Sequence, residues 1–190
     1  MSLLQPSPLM VEHIWTDVSK RCVSGHWGMM MSPKGVFSQE LSRQHCQKDI
    51  RFLEMLVVLD ALHLFSRQWT GPRRVIIHTD NENVQFGLLK GSIHDPATQV
   101  LFWEIFSFCL WHHIDLCLAA IRSRDNTLAD ALSCRCFSFI QQFFPQAFCL
   151  LQLGGASLSP PPALSMMPSF QQEPPVIGLN AQDTGRLWFI

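Results

Sequence analysis

Three strand-like segments follow one another between residues 12 and 41, with no room for a helix between them. They cover residues 12–18, 25–31 and 35–41, and the last two are joined by a turn at Ser32-Pro33-Lys34-Gly35. Connections this short allow only antiparallel neighbours, because a parallel pair needs a crossover of a dozen residues or more. The chain is thus committed early to a meander. The pattern then changes. From about Gln47 to Trp69, the residues Ile50, Leu53, Val57, Ala61, Leu64 and Gln68 recur at helical spacing until Gly71-Pro72 stops the run. Residues 74–79 form a fourth strand, apolar and β-branched enough for burial on both faces. A short helix over 82–89 ends at Gly91, and Pro96 sits in the first turn of a helix that reaches about Trp111. Residues 116–121 form a fifth strand, Asn126 caps a last helix through Leu132, and a further turn follows at 137–144. A meander followed by crossovers predicts a mixed α/β sheet of about five strands with helices packed against it.

Composition narrows the class. At 190 residues, 47% hydrophobic and 15% charged, the chain reads as one globular domain with some length to spare. The net charge of -1 gives no global basic field for non-specific nucleic-acid binding, although a local basic groove is compatible with it. The seven cysteines form no CxxC pair, and Cys134-x-Cys136 is too short for a zinc knuckle. They read as reduced, mostly buried thiols of an intracellular protein. Residues 2–10 carry no basic segment and are interrupted by Pro6 and Pro8, unlike a signal peptide. The apolar stretch 101–114 is too short for a bilayer and contains Glu104, His112 and His113, so no membrane partner is expected.

The chemistry-bearing residues are carboxylates in costly places. Two strand-like segments end in Thr-Asp, at Thr16-Asp17 and Thr79-Asp80. Side by side, such strands would hold two negative charges about 5 Å apart, and a cation between them relieves the repulsion. Each aspartate alone reads equally well as a turn residue, and Asp80 as a helix cap. Glu54 lies inside the apolar stripe of the long helix, between Ile50, Val58, Ala61 and Phe65. A buried glutamate needs a metal, a cation or a hydrogen-bond network, or else becomes neutral. The helix is apolar nearly all round, so the pattern alone does not choose between Glu54 and Asp60. Asp130, near the start of the last helix, is by itself an ordinary favourable use of the helix dipole.

Trp15-Thr16-Asp17-Val18-Ser19, Phe52-Leu53-Glu54-Met55, His78-Thr79-Asp80-Asn81 and Asn126-x-x-Ala129-Asp130-Ala131-Leu132-Ser133 occur in that order. Together they resemble the ribonuclease H domain of retroelement polyproteins. Gly25-His26-Trp27-Gly28 after the first strand is most similar to the tyrosine-recombinase, DIRS-like type. The resemblance covers about residues 12–140. It implies a ribonuclease H-like fold, a five-stranded mixed sheet of order 3-2-1-4-5 flanked by helices, with strands 1 and 4 adjacent. It also implies an endonuclease acting on the RNA strand of RNA–DNA hybrids, with Asp17, Glu54, Asp80 and Asp130 as catalytic, metal-binding residues. It selects Glu54 over Asp60. Two Mg²⁺ ions, replaceable by Mn²⁺, are the implied cofactors, and hard carboxylate oxygens suit them. Ser19, Asn81, Arg122 and Arg124 are the candidate contacts to the hybrid. Val18, Lys20-Arg21-Cys22 and Cys134 depart from the family pattern without removing a ligand. An inactive relic of the same fold, binding nucleic acid or protein, is the alternative.

The domain is expected at residues 12–145, after an extension at 1–11. Residues 146–190 are expected to be a proline-rich, mostly disordered tail, with Gly154-Gly155, Pro160-Pro161-Pro162 and Pro174-Pro175 breaking any periodicity. The family normally carries a polymerase upstream, so the chain is expected to belong to a larger polyprotein with a reverse transcriptase. Two other groups point elsewhere. Trp111-His112-His113 with His63 lacks the ligand spacing of a metal site. Phe102, Trp103, Phe106, Phe108 and Trp111 share helical spacing without interleaved Lys or Arg, which predicts core packing rather than a base-stacking platform.

Overall fold

The computed structural model describes residues 9–81 and 95–153. At its centre is a sheet of β1 (Met10–Val18), β2 (Cys22–Met29), β3 (Ser32–Glu40), β4 (Arg73–Thr79) and β5 (Ile114–Ala120). The strand order is β3-β2-β1-β4-β5. β1–β2 and β2–β3 are antiparallel, whereas β1–β4 and β4–β5 are parallel. This is the mixed sheet expected from the meander and crossovers, in the 3-2-1-4-5 order that the resemblance implied.

The hairpin between β2 and β3 turns earlier than its residues suggest. The turn is at Met30-Met31, and β3 already begins at Ser32. Gly28 takes φ 89° and the register shifts between Trp27 and Gly28, so a bulge absorbs the bend that Ser32–Gly35 was expected to make. Pro33 is tolerated within a strand because β3 lies at the sheet edge. Gly25 is required for a different reason. A Cβ there would lie 2.6 Å from the Trp15 carbonyl oxygen and 2.8 Å from the Phe37 ring.

Helices cover the two faces unequally. On one face lie α1 (Ile50–Phe65) and α2 (Pro96–Trp111), around a core that includes Ile14, Val57, Leu62, Ile77 and Ile105. α1 is shorter than the 47–69 periodicity because Asp49 caps it, accepting from the Arg51 amide, and a 3-10 turn over Ser66–Gln68 ends it. On the other face α3 (Thr127–Ser133), α4 (Phe137–Phe143) and α5 (Pro145–Gln152) pack against β1–β3. Their core joins Val36, Leu128, Leu132, Ile140 and Ala147. α5 carries folded structure past residue 145.

Since α3–α5 stop short of β4, that strand alternates instead of being buried on both faces. Val75, Ile77 and Thr79 are buried, Arg74 is exposed, and Ile76 and His78 are intermediate. Glu12 anchors the far end of the sheet. Its carboxylate accepts from Trp27 Nε1 at 2.7 Å, Lys34 Nζ at 3.2 Å and the buried Arg73 Nη1 at 3.4 Å.

Two expectations about burial are corrected. In α2, Phe102 is buried, but Trp103, Phe106 and Trp111 face outward, because the helix rests on α1 along one side only. All seven cysteines are free, yet only Cys22 and Cys109 are buried, while Cys46, Cys134, Cys136 and Cys149 are exposed. The expected helix at 82–89 and the tail from 154 onward lie outside the described residues. Among the described residues, no helix is long and apolar enough to cross a membrane.

Candidate active site

Four elements bring the predicted carboxylates to one end of the sheet. Asp17 is in the last turn of pleat of β1, and Asp80 follows β4 directly. The parallel register pairs Trp15 with His78, so Asp17 and Asp80 each lie two residues beyond paired neighbours. Glu54 enters from α1 and Asp130 from α3. Glu54 is 4% exposed, whereas Asp130 is open to solvent.

The carboxylates sense one another. Burial pushes Glu54 up to about 8, and the negative charges of Asp17 and Asp80 push it in the same direction. Burial likewise raises Asp17 to about 6; the Ser133 hydrogen bond opposes this, while Asp80 and Asp130 add to it. Asp60, the other acid of α1, is also raised to about 6, but by burial alone, with no carboxylate neighbour contributing. Glu54 is therefore the α1 acid that belongs to the cluster.

Hydroxyls and amides frame these acids. Ser133 Oγ donates a very short hydrogen bond to Asp17 Oδ2, and Ser123 Oγ donates to Asp80 Oδ2 at 2.8 Å. Asn81 hydrogen-bonds to Glu54, yet Glu54 Oε2 is buried without a partner. Asn126 does not cap α3 through its side chain; instead Nδ2 donates to the Thr16 carbonyl oxygen at 3.0 Å, tying α3 to β1. Ser19, a candidate substrate contact, donates to the Ser133 carbonyl oxygen at 2.9 Å and accepts from the Cys22 amide at 3.1 Å. It thus also braces the loop beside Asp17. Arg122 and Arg124 are exposed, Arg122 preceding and Arg124 within the 3-10 turn Ser123–Asp125, and Arg124 lies 3.9 Å from Asp125.

The motif carrying Asp130 contained Ser133, but nothing in the linear pattern aimed its hydroxyl at Asp17. A cleft of about 660 Å³ adjoins this point, lined by Lys20, Arg21 and Arg135 together with Ser19 and Ser133. Arg135 is paired with Glu40 across it.

The donor set fits a hard divalent cation. It offers carboxylate oxygens, an orphaned buried acceptor on Glu54, and two acids whose ionisation is suppressed chiefly by burial and further by acidic neighbours. Among the described residues, no three His, Cys, Asp or Glu side chains stand close enough to hold one ion as they are. The chemistry of the donors suits such an ion, but the side chains as placed do not form a ready-made site for one.

Behind Asp17 and Asp80 runs a stack that sequence reading missed. His26, Trp15 and His78 lie nearly parallel across β2, β1 and β4, with centroids 4.7 and 4.4 Å apart. His13 continues the row, its Nδ1 2.9 Å from His78 Nε2. Cross-strand pairing places all four rings on one face.

No protein-family model matches the chain, and no curated protein matches it. Several solved structures resemble it in fold at low identity. Ribonuclease H1 LC11, isolated from compost by metagenomics, is 14% identical over 64% of this chain and 91% of its own, with a TM-score of 0.49. Ribonuclease H1 of the halophilic archaeon Halobacterium salinarum is 14% identical over 68% and 98%, with a TM-score of 0.46. The foamy viral protease-reverse transcriptase, in complex with an RNA/DNA hybrid, is 13% identical over 71% of this chain and 22% of its own, with a TM-score of 0.48.

Proposed function

We propose that the chain is a metal-dependent endonuclease that cleaves the RNA strand of RNA–DNA hybrids, with Asp17, Glu54, Asp80 and Asp130 as its working carboxylates. The reading includes descent from a retrotransposon polyprotein that also carried a reverse transcriptase. The observation that carries it is the placement of Asp17 and Asp80 at the ends of two adjacent parallel strands, with the buried Glu54 of α1 near enough to feel both charges. Such an arrangement is costly in a protein that does not use it. Mg²⁺ or Mn²⁺ held by these four residues would supply activation of a water and neutralisation of charge at the scissile phosphate. The protein's own contribution is to fix the acids. Ser133 orients Asp17, Ser123 orients Asp80, and Asn126 ties the helix of Asp130 to β1. Lys20 and Arg21 in the adjoining cleft suit a phosphate backbone, and Ser19, Asn81, Arg122 and Arg124 remain the contacts proposed for the hybrid.

The test is a labelled RNA–DNA hybrid incubated with the purified chain in Mg²⁺ and in Mn²⁺, beside duplex DNA, duplex RNA and single strands. Hybrid cleavage is expected, lost in Asp80→Asn. A folded wild type that leaves the hybrid intact in both metals would sink the enzyme reading.

A non-catalytic relic is favoured by one observation. Protein groups already approach two of the acids, Ser133 at Asp17 and the Cys134 thiol 3.8 Å from Asp130 Oδ1. Hybrid binding by gel shift without cleavage is its expected signature.

A further inference from the structure

The outward face of α2 is apolar where a solvent-facing helix should be polar. Val100, Trp103, Phe106, Leu110 and Trp111 are 53, 55, 36, 63 and 83% exposed. Val100, Trp103, Phe106 and Leu110 follow one another at three- and four-residue steps, and Trp111 lies eight residues beyond Trp103 on the same side, which makes them a single stripe along the helix. The opposite side, with Leu101, Phe102, Ile105 and Cys109, is already buried against the rest of the fold. α2 is thus apolar on two sides, a pattern expected of a helix covered on both. It carries no lysine or arginine, and its one acid, Glu104, is half-buried and lies four residues after Val100 at the edge of the stripe.

We propose that this stripe is a self-association surface, through which two copies of the chain pair helix α2 against helix α2. Three features favour a second copy as the occupant. The first is area. With about 150–250 Å² available on each aromatic side chain, the three aromatics expose roughly 260–440 Å² per copy, to which Val100 and Leu110 add. Full burial in two copies would remove on the order of 1,000 Å² from water, at the lower edge of specific interfaces. A single patch of this size is at the upper limit of what monomers leave open.

The second is charge. With no lysine or arginine and a single half-buried acid at its edge, the face carries little charge to oppose a second copy. The third is shape. Trp103, Ser107 and Trp111 form a four-residue ridge of large, small and large side chains, with Ser107 exposed at its middle. Helices that pack through such ridges cross at about -50°. A two-fold axis near Ser107 would let the backbones approach at the small residue while each Trp103 and Leu110 fills the partner's groove. An isologous contact of this kind closes on itself, so assembly stops at two.

The surface is separate from the acidic end of the sheet, and the inference does not depend on catalysis. The experiment is sedimentation of the full 190-residue chain from low to high micromolar concentration, with tryptophan emission recorded in parallel. The mass is expected to rise from one chain to two, and the emission to shift to shorter wavelength over the same range. Trp103→Lys and Leu110→Lys should each weaken dimerisation at least about tenfold while leaving the far-ultraviolet circular dichroism unchanged. Ser107→Arg, which blocks the crossing point without removing apolar area, should do the same. The proposal is overturned by a wild type that stays monomeric throughout. It is equally overturned by a dimer indifferent to all three substitutions, or by growth beyond two copies.

Discussion

Trp15 and His78 face each other across the parallel pair β1/β4, with ring centroids 4.4 Å apart and planes 12° apart. His26 covers the other side of Trp15, so the indole is sandwiched between two imidazoles. The stack lies immediately behind the residues that position Asp17 and Asp80. A neutral imidazole stacks on an indole without the desolvation cost of a charged one, and both His26 and His78 are held near 4, chiefly by burial.

Acid should therefore loosen this protein through its histidines. His26 has a folded value near 4 against an ordinary value of 6.5. Its contribution is fully present above pH 6.5 and is lost as pH falls towards 4, because the unfolded chain takes up a proton that the native ring refuses. The loss is about 3 kcal/mol by pH 4. His26→Phe keeps the stacked ring, removes the proton site and leaves no buried ring nitrogen to satisfy. Urea unfolding at pH 7 and pH 4.5 should show a smaller drop for the variant than for wild type. Equal drops would remove His26 from the explanation.

Glu54 works in the opposite direction. Its folded value, about 8, lies above the ordinary 4.5, so the native state is penalised as pH rises from 4.5 to 8. The full penalty is on the order of 4 kcal/mol. Glu54→Gln should raise the melting temperature at pH 8.5 and leave it nearly unchanged at pH 4.5. Mg²⁺ should stabilise wild type at pH 8.5 more than it stabilises the variant, as a ligand that binds only the native state must. Thermal melts with and without the metal check both.

Ser133 offers a readout specific to Asp17. Its hydroxyl holds the Asp17 carboxylate in the charged form, against the burial that raises it. In Ser133→Ala the acidic limb of a hybrid-cleavage profile should move to higher pH, with the fold intact. An unmoved limb paired with reduced rate at every pH would mean that Ser133 only packs α3.

At the far end of the sheet, Glu12→Ala should destabilise the protein by about 3–5 kcal/mol, because it leaves the buried Arg73 guanidinium without its carboxylate. Replacing both, as Glu12→Leu with Arg73→Met, should recover much of that loss. Chemical denaturation of the single and double variants measures the difference.

How much of this was legible in the chain differs from element to element. The meander was readable because short connections leave no alternative, and β1 beside β4 came with the ribonuclease H resemblance. The bulge at Gly28 was not, since a positive φ shifts the turn without changing the alternation that a reader counts. The choice between Glu54 and Asp60 could not come from periodicity, because α1 is apolar nearly all round. The motif resemblance selects Glu54, and in the fold the charges of Asp17 and Asp80 act on Glu54 and not on Asp60. The outward aromatics of α2 were misread for the same reason, since a helix without a polar face gives no sign of which side the core occupies. Ser133 and Asn126 act on residues more than a hundred positions away, and no local pattern encodes such pairings.

The short helix that carries Asp130 is fastened to the sheet by hydroxyls rather than by its length. Ser24 and Ser38 donate to the carbonyl oxygens of Ala129 and Leu132, and Asn126 reaches Thr16. A helix of seven residues cannot hold itself in water. Its shape and its place on the sheet therefore arrive together, late in synthesis, after every strand has been made. Until then Asp17, Glu54 and Asp80 stand without Asp130, so a growing or truncated chain carries the scaffold of the proposed site but not the whole of it.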